Sequence, residues 1–127
     1  FRSGRKMENK REEEIEALEV LVDFNERLIK NMTIIVKELS GKRLDDTDKF
    51  LRSIVDAINW EIQVMNGTME LLNEDKERIN KESFNSVIVS LGGAIAEKND
   101  KKMAEEFEKA IHVFEQLGEA AKEVVSK

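Results

Sequence analysis

The chain has 127 residues, of which 40% are hydrophobic and 38% charged, with a formal net charge of −6 and no cysteine. This composition excludes disulfides and thiol catalysis, and it is typical of a folded domain rather than a disordered or membrane-spanning chain. Basic residues are scattered among acidic ones instead of clustered, which argues against nucleic acid as a partner.

The first six residues, FRSGRK, contain no secretory hydrophobic region. We interpret residues 1–6 as a disordered lead-in or a cloning remnant, and residues 7–127 as a single domain that we expect in the cytoplasm, without membrane contact. The chain has no proline and is rich in Glu, Lys, Leu, Ile and Met, so the predicted fold class is all-α.

Helix one is predicted over residues 7–40, where apolar residues keep a heptad-like spacing from Leu18 to Leu39. Gly41 follows the last apolar residue, as expected of a glycine just beyond a helix C-terminus. Asp45, Asp46 and Thr47 are candidate caps for the next helix. A turn this short predicts that helices one and two are antiparallel neighbours.

Helix two is predicted as one unbroken helix over residues 46–73, and it is apolar over more than half of its circumference. Its apolar residues form two seams, whereas a surface helix needs only one. The first seam consists of Leu51, Val55, Ile58, Ile62, Met65, Met69 and Leu72. The second consists of Phe50, Ala57, Trp60, Val64 and Leu71.

Helices three and four are predicted over residues 81–98 and 100–125, with Asn80 and Asn99 as N-caps. Gly92 and Gly93 lie inside helix three, where we interpret them as a site of close helix packing, with a kink as the alternative. Two hairpins docked face to face predict an antiparallel four-helix bundle.

The second seam predicts a partner-binding surface, because helices one and two together carry more apolar residues than one core needs. An alternative interpretation is that Trp60 and Val64 cover the core of the bundle itself. The predicted partner is a second copy of the chain or a helical client. The predicted partner-binding residues are Val20, Phe24, Ala57, Trp60, Val64 and Leu71, with Ile34 as a further candidate.

Two polar residues, Asn25 and Glu61, interrupt the apolar arcs of helices one and two. In an antiparallel hairpin they lie at the same level and could form a buried polar contact that fixes the register. The alternative function is an enzyme or small-ligand binder that uses a polar pocket with a carboxylate of raised pKa.

Other catalytic patterns are weak, and we predict no catalytic residue, cofactor or metal. His112 faces away from the apolar stripe of helix four, and the residues after it do not fit a phosphotransfer domain. Because the chain has a single histidine, it cannot supply the two Glu-x-x-His motifs of a di-metal bundle. The Glu-rich stretch from Glu12 to Glu19 is better explained by a solvated helix face than by the Mg²⁺ site of a nucleotide pyrophosphatase.

Four features define the layout of the chain: a long first helix, a Gly41-Lys42 turn, a helix bearing Trp60, and a last hairpin that turns at residues 97–100. This layout resembles small uncharacterised helical proteins of Firmicutes, and it is distantly similar to flagellar export chaperones. The resemblance implies a non-enzymatic role in binding helical clients.

Overall fold

The structure, a computed structural model, describes the backbone of residues 2–127 and the side chains from Asn9 onward. The described part is all-helical and contains no strand. Its five helices are α1 (Arg2–Leu39), α2 (Thr47–Gly67), α3 (Met69–Leu72), α4 (Lys81–Glu97) and α5 (Asp100–Val125). Phe1 lies outside the described residues, and the interpretation of residues 1–6 as a lead-in stays a prediction.

The turn between α1 and α2 is closed by local hydrogen bonds. Gly41 has φ +116°, a left-handed conformation that suits a residue without a side chain. The Thr47 hydroxyl donates to Glu38 Oε1 at 2.7 Å and accepts the Leu44 N–H at 2.8 Å. Asp46 occupies the N-cap position, but its side chain makes no capping bond. The buried Thr47 hydroxyl therefore closes the turn.

The predicted second helix is wrong in one respect, because it breaks at Thr68 into α2 and α3. Thr68 has φ −124° and ψ 14°, and its hydroxyl donates to the Val64 carbonyl at 2.7 Å. This bond accompanies the break but does not by itself cause one, because Thr33 makes the same kind of bond to the Ile29 carbonyl inside the unbroken α1. The break lies beyond Trp60 and Val64, so α2 is continuous through most of the two predicted seams, but Met69, Leu71 and Leu72 at their ends belong to α3.

The predicted N-caps of the last two helices are confirmed. Asn80 accepts the Ser83 N–H at 3.0 Å, and Asn99 accepts the Lys102 N–H at 3.1 Å. Between them α4 ends at Glu97, and its C-cap Lys98 has a φ of +57°, which places a non-glycine residue in the left-handed region.

The core lies where α1 packs against both α2 and α5, and α4 packs against α5. Just beyond the end of α1, Arg43 Nε lies 2.6 Å from Oδ2 of Asp100, at the start of α5. In the middle of α1, Asn25 contacts Phe114 and Gly118 of α5. The two longest helices therefore run in opposite directions. Fully buried side chains of this core include Leu18, Leu21, Met32, Ile35, Ile54, Met65, Leu72, Phe107, Phe114 and Leu117.

The glycines of α4 do not mark a close helix crossing, so that interpretation is wrong. A methyl group added at Gly92 or Gly93 would have no neighbour within 4 Å among the described residues. Close packing occurs instead at Gly118 of α5, where an added methyl carbon would lie 2.5 Å from Asn25 Oδ1.

Candidate functional site

An apolar surface lies along one side of the α1–α2 pair and is centred on Phe24 and Trp60. The two aromatic rings are 5.1 Å apart between centroids and tilted by 58°. Trp60 remains 37% exposed, and the guanidinium carbon of Arg27 lies 5.9 Å from the centroid of the Phe24 ring. Aromatic residues and arginine are enriched at the centres of protein interfaces.

Most of the predicted partner-binding residues are accessible on this surface. Val20 is 55% exposed, whereas Phe24, Ala57 and Val64 are half-buried. We call Val20, Phe24, Ala57, Trp60 and Val64 together the Trp60 flank. Ala57 and Val64 also pack partly against the core, as the alternative interpretation expected of Val64, but Val20 and Trp60 keep large exposed areas.

The assignment of Leu71 to this surface is wrong. Leu71 is only 6% exposed and belongs to the hydrophobic core. The break at Thr68 changes the helical phase, and α3 packs against α5. The seam inferred for one continuous helix therefore does not extend to Leu71. Ile34 is 46% exposed on α1.

The two predicted polar residues form a direct contact inside the core. The Asn25 side-chain amide donates to Glu61 Oε1 at 2.8 Å and to the Phe114 carbonyl of α5 at 3.2 Å. Glu61 is fully buried and Asn25 is 3% exposed. The contact therefore joins α1, α2 and α5 at one point.

The electrostatics of this contact are unusual because Glu61 has no cationic partner in it. Burial raises the pKa of the Glu61 carboxyl from 4.5 to about 7, and the hydrogen bond from Asn25 partly opposes that rise. Its second oxygen, Oε2, has no hydrogen-bond partner among the described residues. Ionisation of Glu61 therefore leaves a charge that this contact only partly compensates.

Gly118 completes the contact, and sequence analysis missed it. The Asn25 amide fits against α5 only because Gly118 has no side chain. Asn25 and Gly118 also line a groove of about 940 Å³ between α1, α5 and the segment before α4, which Glu61 does not line. The only sign of it in the sequence is a glycine inside a segment whose other residues favour a helix. Gly92 gives the same sign.

The remaining candidates lie on exposed helix faces. The His112 side chain is 81% exposed, with Nδ1 3.5 Å from Glu115 Oε1. Glu12, Glu16 and Glu19 are exposed on α1. No set of three or more acidic or histidine side chains in the described part is arranged to hold a metal ion. Among the described helices, none has an apolar run long enough to cross a bilayer.

Comparison with known proteins places the chain at the level of a domain family. Searches of curated proteins and of solved structures find no match. Residues 16–124 match a family model described as a domain of unknown function, DUF8042. Because this match covers most of the 127 residues, the chain belongs to the DUF8042 family.

Proposed function

We propose that the protein is a non-enzymatic interaction module that holds a helical partner along the Trp60 flank. The observation that carries this proposal is the aromatic pair of half-buried Phe24 and Trp60, with Trp60 37% exposed, its ring 5.1 Å from that of Phe24, and Val20 exposed on the same helix as Phe24. A tryptophan in this position offers a large apolar area at little cost in side-chain entropy, as the central residues of interfaces do.

The proposal includes a finer architecture and cellular context. In it, the α1–α2 and α4–α5 hairpins form an antiparallel four-helix bundle, and the Trp60 flank borders the shared core. The partner is a second copy, giving a homodimer, or a helical client, as the distant similarity of the layout to that of flagellar export chaperones suggests. Either partner would be met in the cytoplasm.

The buried polar pair has a structural role in this proposal. Glu61 is fully buried and does not line the groove that Asn25 borders, so a ligand in that groove would not reach the carboxylate. A buried polar contact across three helices can fix their register. We therefore do not propose an enzyme or small-ligand binder at this pair.

The test compares Trp60→Ala with Val89→Ala. Val89 is 73% exposed on α4 and serves as the matched control, because both substitutions remove an exposed apolar side chain. Association is measured by light scattering of the purified protein and by capture from an extract of the native cell, with each captured partner identified and its binding remeasured in purified form. We expect Trp60→Ala to weaken association at least tenfold and Val89→Ala to leave it unchanged.

A second variant separates loss of binding from loss of fold. Val20→Ser changes an exposed residue that contributes little to the core, so it should weaken association while the helical circular dichroism signal stays the same. The proposal fails if the wild type neither self-associates nor binds a captured partner. It also fails if Trp60→Ala and Val89→Ala have equal effects.

A further inference from the structure

The exposed face of α1 carries a heptad stripe that the core does not use. Its seven residues are spaced alternately by four and three positions, which places them along one face of a helix. All seven are exposed. They are Glu16, Val20, Asp23, Arg27, Lys30, Ile34 and Lys37.

From residue 12 to residue 39, the charges of α1 are divided into two segments. Residues 12–23 contain six acidic side chains and no basic one. Residues 27–39 contain three basic side chains, and their single acidic residue, Glu38, is buried against Thr47. The acidic segment and the basic segment meet between Asp23 and Arg27, at the level of Phe24 and its partner Trp60.

This order of residues is complementary to itself when it is reversed. In an antiparallel pair of stripes centred near Arg27, Glu16 faces Lys37 and Asp23 faces Lys30. Val20, 55% exposed, faces Ile34, 46% exposed. Only Arg27 meets its own copy, and its guanidinium already lies over the Phe24 ring. Every other pairing is apolar with apolar or acid with base.

Among the residues whose side chains the structure describes, the charged members of this stripe other than Arg27 have no ionic partner. None of Glu16, Asp23, Lys30 and Lys37 forms an ion pair with another described residue. A two-fold interface uses the same patch on both subunits, so each residue i that faces j is matched by j facing i. A stripe that is complementary to its own reverse meets that requirement.

We propose that the partner of the Trp60 flank is a second copy of this chain, bound through antiparallel α1 helices about a two-fold axis beside Arg27. This inference rests on the proposed function and names its partner. The axis lies at the level of the Phe24–Trp60 pair, so both copies of Trp60 are covered near the centre of the interface. Opposite charges on either side fix the antiparallel direction.

The test is a charge swap measured by sedimentation equilibrium on the full chain. Asp23→Lys and Lys30→Glu each replace two opposite-charge pairs per dimer with two like-charge pairs. Each should weaken the dimer about tenfold at low salt, with a smaller effect at high salt. The double variant Asp23→Lys with Lys30→Glu restores opposite charges in both residue pairs of the dimer and should recover the wild-type affinity.

Glu108→Lys is the control for net charge. It changes the charge by the same amount as Asp23→Lys, at an exposed position on α5 away from the stripe, and should not weaken the dimer. A wild-type chain that stays monomeric at millimolar concentration overturns this inference. The proposed function then stands or falls with the other test, in which Trp60→Ala should no longer bind a client that the wild type captures. A dimer that Trp60→Ala weakens but that is insensitive to the charge swaps also overturns the antiparallel pairing and leaves the proposed function intact. Failure of the double variant to recover affinity overturns the inference as well.

Discussion

Replacement of Glu61 by glutamine should change the way in which stability depends on pH. Burial raises the pKa of Glu61 from 4.5 to about 7, so between these values the folded state holds a proton that the unfolded state releases. The contribution of Glu61 is most favourable below pH 4.5 and is lost as the pH rises through 7. A shift of this size corresponds to about 3 kcal/mol.

Glutamine keeps the shape of the side chain and the oxygen that accepts the Asn25 amide, but it does not ionise. Glu61→Gln should therefore be close to the wild type near pH 4.5 and more stable by up to about 3 kcal/mol at pH 8. The assay is urea unfolding followed by circular dichroism at a series of pH values and one protein concentration.

Using the difference between variant and wild type cancels the titration of other groups. Asp75, for example, has its pKa lowered to about 2 by hydrogen bonds from Lys127 and Arg78, so its contribution to stability is lost as the pH falls through that value. Glu105→Gln, which removes an exposed carboxylate of α5, is the matched control and should differ little from the wild type at every pH. A difference between Glu61→Gln and wild type that stays constant from pH 4.5 to 8 would refute the reasoning.

Three backbone and packing predictions follow from the same structure, each measured by urea unfolding. Gly118→Ala should destabilise the fold by about 2–4 kcal/mol, because the added carbon lies 2.5 Å from Asn25 Oδ1 and displaces that hydrogen-bonded amide. Gly92→Ala should stabilise it by about 1 kcal/mol, because its added carbon meets nothing and alanine favours the helix; equal effects of the two substitutions would contradict both assignments. Asn80→Ala should cost about 1 kcal/mol through loss of the cap to the Ser83 N–H, and an unchanged midpoint would show that this bond contributes nothing.

Features that depend on a few neighbouring residues could be predicted from the sequence. The caps at Asn80 and Asn99 each join residues three positions apart, and the glycine turn at Gly41 comes two residues after the last apolar residue of the stripe. Their geometry is set within one helical turn, and distant parts of the chain have little influence on it. The contact between Asn25 and Glu61 was also predictable, because the short turn between α1 and α2 fixes which residues lie at the same level.

Features that depend on distant packing could not be predicted. Nothing in the apolar spacing of residues 46–73 indicates a break, yet Thr68 ends α2 and lets α3 pack against α5, which buries Leu71. The glycines show the same difficulty. Gly92 and Gly118 are both helical, but only the structure shows that one faces open space and the other contacts Asn25.

The buried polar contact also accounts for the position of the Trp60 flank. Consecutive residues of an α-helix point about 100° apart, so the orientation of Glu61 fixes that of Trp60. Asn25 holds Glu61 toward the core and is itself held against α5 by the Phe114 carbonyl and the space at Gly118. Rotation of α2 that would bury Trp60 fully would pull Glu61 out of this contact. The polar contact that ties α2 to α1 and α5 thus keeps Trp60 beside Phe24 and partly exposed, where a partner can reach it.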